Sequence, residues 1–273
     1  PAHVAGRLAF LDHLSHGRLN VCFGPGAVPT DMELYGIDPK DTGARVSEAI
    51  DMILKIWSSD APYEIEGKFW TISLCKHLDL EMGLGALHKP LQKPYPPIAI
   101  PSISRRSIGV EKAGARGFSL FSHHMIAPEV LREQAQCYRA GAAAAGREAT
   151  PADWRVARNV YVAETTAEAR QLARQNSLGR CIQYILDLTR RGPGVGMWKR
   201  NPDQPDADCN LDYFMDEVII AGDPDHVARE IRALRQDVGE FGTLVLVAHD
   251  WDDKRRWLKN LELFSRHVMP QLN

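Results

Sequence analysis

Serine and arginine side chains are concentrated between a short apolar run and the helix predicted to follow it. Hydroxyl groups occur at Ser102, Ser104 and Ser107, and the charged side chains of Arg105 and Arg106 lie between them. Hydroxyls, guanidinium groups and the free N–H groups of a helix start are donors that bind phosphate in proteins. This spacing predicts a phosphate site. A second interpretation stays open, in which Ser104 only caps the helix and the arginines are solvated.

A glycine-containing turn, Gly24, Pro25 and Gly26, follows an apolar run at residues 19–23. It does not complete the GxGxxG pattern, because no third glycine stands at the required spacing. The chain also contains no GxxxxGK[ST] motif. The sequence therefore predicts neither a P-loop nor a Rossmann dinucleotide site.

Two adjacent histidines, His123 and His124, follow a predicted strand at residues 118–121. Imidazole rings can bind a metal, transfer a proton or donate a hydrogen bond to a bound ring. Because adjacent residues of a strand point to opposite faces, we expect at most one of the two to face a pocket. His249 follows another predicted strand. It could orient a substrate, or a neighbouring backbone carbonyl could satisfy its ring.

Hydrolytic and metal-dependent chemistry is not favoured by the motifs present. The chain contains no HExxH motif, no GxSxG motif and no Cys–His pairing at a spacing typical of hydrolases. We predict no metal site.

Trp198 lies in a stretch rich in glycine, proline and aspartate at residues 192–213. This stretch is predicted to be an inserted loop or lid, in which Trp198 could close over an apolar ligand. An aromatic side chain in a loop could equally anchor that loop to the body of the protein.

Apolar runs and helical patterns alternate along the chain, which favours a parallel sheet covered by helices. Working residues of such folds gather at the carboxyl ends of the strands, where the serines, histidines and glycines above are found. We predict a single domain over residues 1–273, with an insertion at 60–95 that contains a small hairpin near Tyr63. The predicted strands are 19–23, 97–100, 118–121, 158–163 and 242–248, and the predicted helices are 4–14, 45–57, 106–115, 128–145, 166–190, 223–236 and 252–268.

Composition restricts the partners and the location. The chain has 273 residues, a formal charge of −2 and no basic block or acidic tail, which argues against nucleic acid or a membrane surface as the partner. Its five cysteines form no CxxC pair, which is typical of a reducing compartment, and we expect a cytoplasmic protein. No apolar run is long enough to span a bilayer.

The chain resembles the bacterial luciferase-like flavin monooxygenase superfamily. Residues 11–26 carry Leu-Asp-x-Leu-Ser-x-Gly-Arg, a strand and a glycine turn, as members of that family do. Further similar segments are residues 96–100, 113–117, 221–231 and 242–250. The last of these is most similar to the branch with limonene and diketocamphane monooxygenases.

This resemblance implies a TIM-type (β/α)8 barrel, here from about strand four to strand eight. The family's usual chemistry inserts oxygen into a small hydrophobic molecule through a C4a-peroxyflavin, using reduced FMN and O2. It also implies a separate flavin reductase and a homodimer. Two alternatives stay open: an oxidoreductase that uses the deazaflavin F420, and a non-catalytic flavin-binding relative or partner subunit.

The resemblance also assigns expected site residues, although Pro25 stands where some relatives carry an arginine. The expected cofactor-binding residues are Gly24, Pro25, Gly26, Ser102, Ile103, Ser104, Arg105 and Arg106. The expected substrate-binding residues are His123, His124, Met125, Trp198 and His249. No catalytic residue is assigned, because the family's active-site histidine and non-proline cis peptide belong to three strands that precede residues 11–26. Without those strands two hydrophobic edges would be exposed, so we expect no stable closed monomer from this sequence alone.

Overall fold

The computed structural model describes residues 1–272, which form two compact units, Pro1–Ile100 and a second that begins at Pro101. No helix among the described residues is both long and apolar enough to cross a membrane. The helices are α1 Ala2–Leu14, α2 Pro29–Leu34, α3 Thr42–Ser58, α4 Ile108–Arg116, α5 Pro128–Ala144, α6 Thr166–Gln175, α7 Ser177–Arg190, α8 Leu211–Glu217, α9 Pro224–Val238 and α10 Lys254–Leu263. The strands are β1 Val21–Cys22, β2 Tyr63–Glu66, β3 Thr71–Leu74, β4 Ile98–Ser102, β5 Ser119–Ser122, β6 Trp154–Arg158, β7 Val160–Val162, β8 Ile220–Gly222 and β9 Thr243–Leu246.

In the first unit, β1 pairs in parallel with the start of β4, so that Val21 lies opposite Ile98. Helix α3 buries one apolar face, and the indole of Trp57 on that face donates to the carbonyl of Ala5 in α1 at 3.0 Å. Strands β2 and β3 form an antiparallel hairpin. The hairpin predicted within residues 60–95 is therefore present, with its second strand beyond Trp70.

Asp12 belongs to the family-like segment at residues 11–26, and its role in the structure is to fix a loop. Its side chain is fully buried and accepts hydrogen bonds from the backbone N–H and the side-chain amide of Gln92, at 2.8 and 2.7 Å. The same amide of Gln92 donates to the carbonyl of Leu19. Asp12 therefore holds the segment around Gln92 against the approach to β1.

In the second unit, β6 lies between β5 and β9, and all three run parallel. Strand β7 pairs instead with β8, with Val160 opposite Ile220. The predicted strand 158–163 is therefore wrong in its bounds: β6 begins at Trp154, and Asn159 separates it from β7. Strand β8, which lies in an apolar run too short to count as a strand by pattern, was not predicted.

The helix predicted over residues 166–190 is two helices. Asn176 adopts an extended conformation between α6 and α7, and its side-chain oxygen accepts from the N–H of Leu178 at 2.9 Å. Asparagine competes with helical hydrogen bonding in this way and caps the helix that follows. The apolar periodicity continues across residues 166–190 although the helix is interrupted at Asn176.

Helix α4 begins at Ile108, later than predicted. Its N-cap is Ser107, whose hydroxyl accepts from the N–H of Val110 at 3.1 Å. The interpretation in which Ser104 caps this helix is therefore wrong. Helix α4 packs closely on α5. The close approach is possible because residue 141 is glycine, since a Cβ there would overlap the carbonyl of Glu111. Because the cap is Ser107, the turn at residues 103–106 is separate from the helix cap.

Candidate functional site

A chain of buried hydrogen bonds connects the turn after β4 to α5, β5 and β6. The amide of Gln134 donates to the carbonyl of Ser104 at 2.8 Å and to that of Ser102 at 3.3 Å. The hydroxyl of Ser122 donates to Gln134 at 2.7 Å and accepts from the indole of Trp154 at 2.8 Å. Buried polar groups that are fully bonded specify one geometry, so this turn is well defined.

The two arginines of this turn differ in their surroundings. Arg105 pairs with Glu133 at 2.9 Å and donates to the carbonyl of Lys199 at 2.7 Å. The side chain of Arg106 is 71% exposed and lies 3.9 Å from Glu133. The solvated-arginine interpretation thus fits Arg106 and does not fit Arg105, whose guanidinium helps to hold the segment at Lys199.

Unbonded donors remain in the same turn. Within residues 1–272, the backbone N–H groups of Arg105, Arg106 and Ser107 make no hydrogen bond. They stand directly before the first turn of α4, whose own dipole favours a negative charge. Ser102 Oγ is engaged with the backbone of Ser104 and Ser107 Oγ caps α4, so the Ser104 hydroxyl is the one that can join these donors at an anion such as phosphate.

His123 and His124 lie side by side, with ring centroids 4.3 Å apart. The expectation that they point to opposite faces is wrong, because β5 ends at Ser122 and both histidines belong to the turn that follows. The backbone N–H of Met125 donates to His123 Nδ1 at 3.2 Å, and the Met125 side chain itself is fully buried. The turn therefore presents two imidazoles and encloses the methionine.

Asn159 joins this pair to His249. It is fully buried at the break between β6 and β7. Its side-chain nitrogen donates to His124 Nδ1 at 2.8 Å, and its oxygen accepts from His249 Nε2 at 2.9 Å. An amide can serve both rings only if His124 is unprotonated at Nδ1 and His249 carries its proton on Nε2. Asn159 therefore selects one tautomer of each histidine.

All three imidazoles favour the neutral form. Burial lowers the pKa of His123 to about 4, and the charge of Arg158 adds to this effect. Burial also lowers the pKa of His124 to about 3, helped by the charges of His123, His249 and Arg158. Charging a buried imidazole near a cation is unfavourable on both counts.

The pKa of His249 is subject to opposing effects. Burial lowers its pKa, while the carboxylates of Asp250 and Asp252 act in the opposite direction. Its ring centroid is 6.5 Å from that of His124 and 6.0 Å from that of Trp257. The rings from His123 to Trp257 thus form one continuous row.

Arg158 is a buried cation beside this row. It is 1% exposed, and its Nη1 donates to the carbonyl of Ala157 at 3.2 Å, whereas its Nη2 has no partner in the described part of the chain. Burial lowers its pKa to about 10, so it remains charged at neutral pH. Its field keeps protons off the neighbouring imidazoles.

Trp198 completes the row at the other end. Its ring centroid is 5.3 Å from that of His123, and its indole N–H donates to the Thr189 hydroxyl at 3.3 Å. The Tyr213 hydroxyl donates to the Trp198 carbonyl at 3.3 Å. With only 4% of its surface exposed, Trp198 anchors the 192–213 segment beside His123.

The second unit therefore brings together His123, His124, Trp198 and His249, while Gly24, Pro25 and Gly26 lie exposed after β1 in the first unit. Gly26 has a φ of 78°, a conformation that favours glycine.

Sequence reasoning missed Asn159 and Arg158. Their signal was a polar pair inside an otherwise apolar run, which a buried strand tolerates only when the polar groups have partners or a function.

A metal centre is not formed by these residues. Among residues 1–272, no cluster of three or more His, Cys, Asp or Glu side chains has the geometry to hold a metal ion. The arrangement instead offers anion donors in one turn and neutral hydrogen-bonding rings in the next.

The family model described as luciferase-like monooxygenase matches residues 1–240. Over its full length the chain is 29% identical to the 3,6-diketocamphane 1,6-monooxygenase of Pseudomonas putida, of which it covers 76%. It is likewise 29% identical to the limonene 1,2-monooxygenase of Rhodococcus erythropolis, of which it covers 66%. A solved type II Baeyer-Villiger monooxygenase, the oxygenating constituent of 3,6-diketocamphane monooxygenase from Pseudomonas putida in complex with FMN, is 30% identical, with a TM-score of 0.86 over all of this chain and 76% of that chain.

Proposed function

Because this chain belongs to the luciferase-like monooxygenase family, we propose that it is the oxygenating component of an FMN-dependent monooxygenase. The proposed reaction uses reduced FMN and O2 to insert one oxygen atom into a small apolar molecule. The similar structure bound to FMN supports the choice of cofactor. The observation in this chain that carries the proposal is the set of unbonded donors in the turn that precedes α4.

The residues of this turn fit the phosphate of FMN. The backbone N–H groups of Arg105, Arg106 and Ser107 are unbonded, and Arg106 is free to turn toward an anion because it is largely exposed. Arg105 holds the shape of the turn, since Glu133 and the Lys199 carbonyl already engage its guanidinium. The hydroxyl of Ser104 adds a further donor. When bound, reduced FMN would supply the chemistry that reacts with O2. The protein would position the flavin and exclude water from it.

The histidine row fits the remainder of the site. The neutral imidazoles of His123 and His124, packed against the buried indole of Trp198, can contact a flat ring or an apolar substrate without burying a new charge. Their low pKa values keep them uncharged throughout the neutral range. An apolar substrate, such as a ketone or a terpene, is therefore favoured over an ionic one.

The remaining parts of the proposal concern partners and location. Reduced FMN would come from a separate reductase, which the description of the similar structure as an oxygenating constituent supports. The homodimer is proposed from the family resemblance, and the cytoplasmic location from the cysteine content of the sequence. Neither nucleic acid nor a membrane is proposed as a partner.

The test is an anaerobic titration of the protein with reduced FMN, followed by addition of a bicyclic ketone, admission of O2 and analysis of the products. We expect binding in the micromolar range and an oxygenated product. Arg106→Gln should weaken FMN binding severalfold, whereas Arg147→Gln, outside this turn, should not. Absence of FMN binding at micromolar concentrations contradicts the proposal. Binding of F420 in its place would favour the deazaflavin alternative, and binding without product when a reductase is supplied would favour a non-catalytic flavin protein.

A further inference from the structure

The adjacent rings of His123 and His124 each have one ring nitrogen already engaged. Nδ1 of His123 accepts from the backbone N–H of Met125, and Nδ1 of His124 accepts from Asn159. A neutral imidazole that accepts at Nδ1 carries its proton on Nε2. Both rings therefore present an Nε2–H donor, and within residues 1–272 neither donor has an acceptor.

Both donors belong to neutral rings because of what surrounds them. The charged or titratable groups that act on the pair are Arg158 from β6 and His249 from the segment after β9, and Asp250 and Asp252 act on His249 in turn. Burial and the Arg158 cation disfavour protonation. At neutral pH the pair is thus a poor acid and a good neutral hydrogen-bond donor.

We propose that His123 and His124 together bind the oxygen atom of a carbonyl group in the substrate, and that Asn159 is the positioning residue that makes this possible. A carbonyl oxygen has two lone pairs, and two rings with centroids 4.3 Å apart and planes inclined by 30° are close enough to offer both Nε2–H donors to one oxygen atom. Trp198, 5.3 Å from His123 and almost fully buried, packs against that ring and holds it in position. This inference rests on the proposed function and specifies its substrate-binding residues.

Donation by two neutral N–H groups would draw electron density toward the oxygen and strengthen as negative charge develops there. A single fixed donor would orient the carbonyl less strictly than two. Asn159 contributes without touching the substrate, because it fixes the tautomer of His124 and ties that ring to His249. Loss of this amide would leave His124 free to move its proton to Nδ1.

The binding test compares 3,6-diketocamphane with camphane, which has the same skeleton without carbonyl groups, on protein saturated with oxidised FMN. We expect the wild-type protein to bind the ketone at least tenfold more tightly. His124→Phe keeps a flat ring but removes the donor, and should reduce the preference to about threefold or less. His124→Gln places an amide N–H near the position of Nε2 and should retain most of it. His88→Phe, at an exposed histidine, serves as the control.

Three results separate the two proposals. Failure of the wild-type protein to bind FMN contradicts the proposed function. Normal FMN binding with no ketone preference in the wild-type protein overturns the present inference alone. The same holds if His124→Phe retains the full preference.

The role of Asn159 has a spectroscopic test. Nitrogen-15 NMR of the imidazoles should show His124 and His123 as neutral Nε2–H tautomers from pH 5 to 8. In Asn159→Leu the His124 signal should shift toward a tautomer mixture, and the KM for the ketone should rise severalfold with unchanged affinity for FMN. Asn159→Asp, which can still accept from His249 but cannot donate to His124, should raise the pKa of His124. Unchanged tautomers and KM in these variants, or an Nδ1–H tautomer of His124 in the wild-type protein, would overturn the assignment.

Discussion

Burying imidazole rings beside an arginine makes the folded protein sensitive to acid. An unfolded histidine titrates near pH 6.5, whereas the pKa of His124 in the folded chain is lowered to about 3 and that of His123 to about 4. Below pH 6.5 the unfolded chain therefore binds protons that the folded chain does not. Stability contributed by these rings is fully present above pH 6.5 and declines as the pH falls toward the folded values.

This linkage predicts the effect of His124→Phe. One histidine with this shift costs about 1.4 kcal/mol for each pH unit below 6.5, or about 2 kcal/mol between pH 6.5 and 5. The variant should therefore lose about 2 kcal/mol less unfolding free energy than the wild-type protein between pH 7 and pH 5. Urea unfolding at the two pH values measures this difference. His88→Phe should behave like the wild-type protein, and equal losses in all three proteins would show that His124 titrates normally.

At the level of single residues, the sequence identified the rings but not their arrangement. The alternation rule separates His123 from His124, yet the strand ends one residue earlier and the rule no longer applies. Asn159 has no motif, because its partners lie 35 and 90 residues away in the chain. Only the fold brings such groups together, so spacing along the sequence carries no information about them.

Among the elements, the start of α4 shows that the helix cap and the turn before it use different serines. The hydroxyl of Ser107 caps the helix by accepting from the N–H of Val110. The carbonyl of Ser104 accepts from the side-chain amide of Gln134, and the hydroxyl of Ser104 takes no part in the cap. Both serines looked equivalent in the sequence. Their difference can be measured because the two roles affect different quantities.

We predict that Ser107→Ala lowers the free energy of unfolding by about 1 kcal/mol, the usual cost of losing an N-cap. Ser104→Ala should change stability by less than about half that amount, since its side chain caps nothing. Chemical unfolding without FMN gives these values, and the affinity for FMN should fall in Ser104→Ala. Equal destabilisation by the two substitutions would mean that both serines cap the helix.

The crossing of α4 and α5 depends on two glycines. A Cβ on Gly141 would overlap the carbonyl of Glu111, and one on Gly114 would overlap the carbonyl of Tyr138. Backbone atoms cannot yield as a flexible side chain can, so the two helices would have to move apart.

Gly141→Ala should therefore cost about 2–3 kcal/mol of unfolding free energy. Gly109→Ala is the matched control, because the added methyl would lie 3.7 Å from Ser107 Oγ, an ordinary contact. That variant should be neutral or gain up to about 1 kcal/mol from the higher helix propensity of alanine. Thermal unfolding of both variants tests the prediction, and a neutral Gly141→Ala would rule out the close crossing.

The elements that pattern failed to predict are short or interrupted. Strand β8 has three residues, too few for a period of two to be evident, and Asn176 breaks a helical pattern that continues on both sides of it. The longer helices α3, α5 and α9 were predicted to within three residues of their observed ends, because each carries several turns of apolar periodicity.

For the molecule as a whole, the resemblance carried by residues 11–26 was sufficient to identify the family and its fold class, and both predictions are confirmed. Within that segment, the buried carboxylate of Asp12 fixes the loop at Gln92, which is a structural role rather than a chemical one.

If reduced FMN reaches the protein by diffusion, the source of reduced flavin should not matter. We predict that an unrelated NADH:FMN oxidoreductase supports product formation from a bicyclic ketone, and that photoreduced FMN supports a single turnover. Gas chromatography of the products measures both. Product that appears only with one specific reductase would instead indicate direct transfer within a complex of the two proteins.

The single residue between β6 and β7 also makes this region intolerant of changes in length. Deleting Asn159 would fuse the two strands and reverse the direction of every side chain in β7, which would carry Tyr161 away from Trp257, now 5.1 Å from it. It would also misplace the Val162 N–H that donates to Asn260 at 2.7 Å. In related sequences, a gap aligned between residues 158 and 160 would therefore mark proteins that have lost the bridge between the two histidine turns.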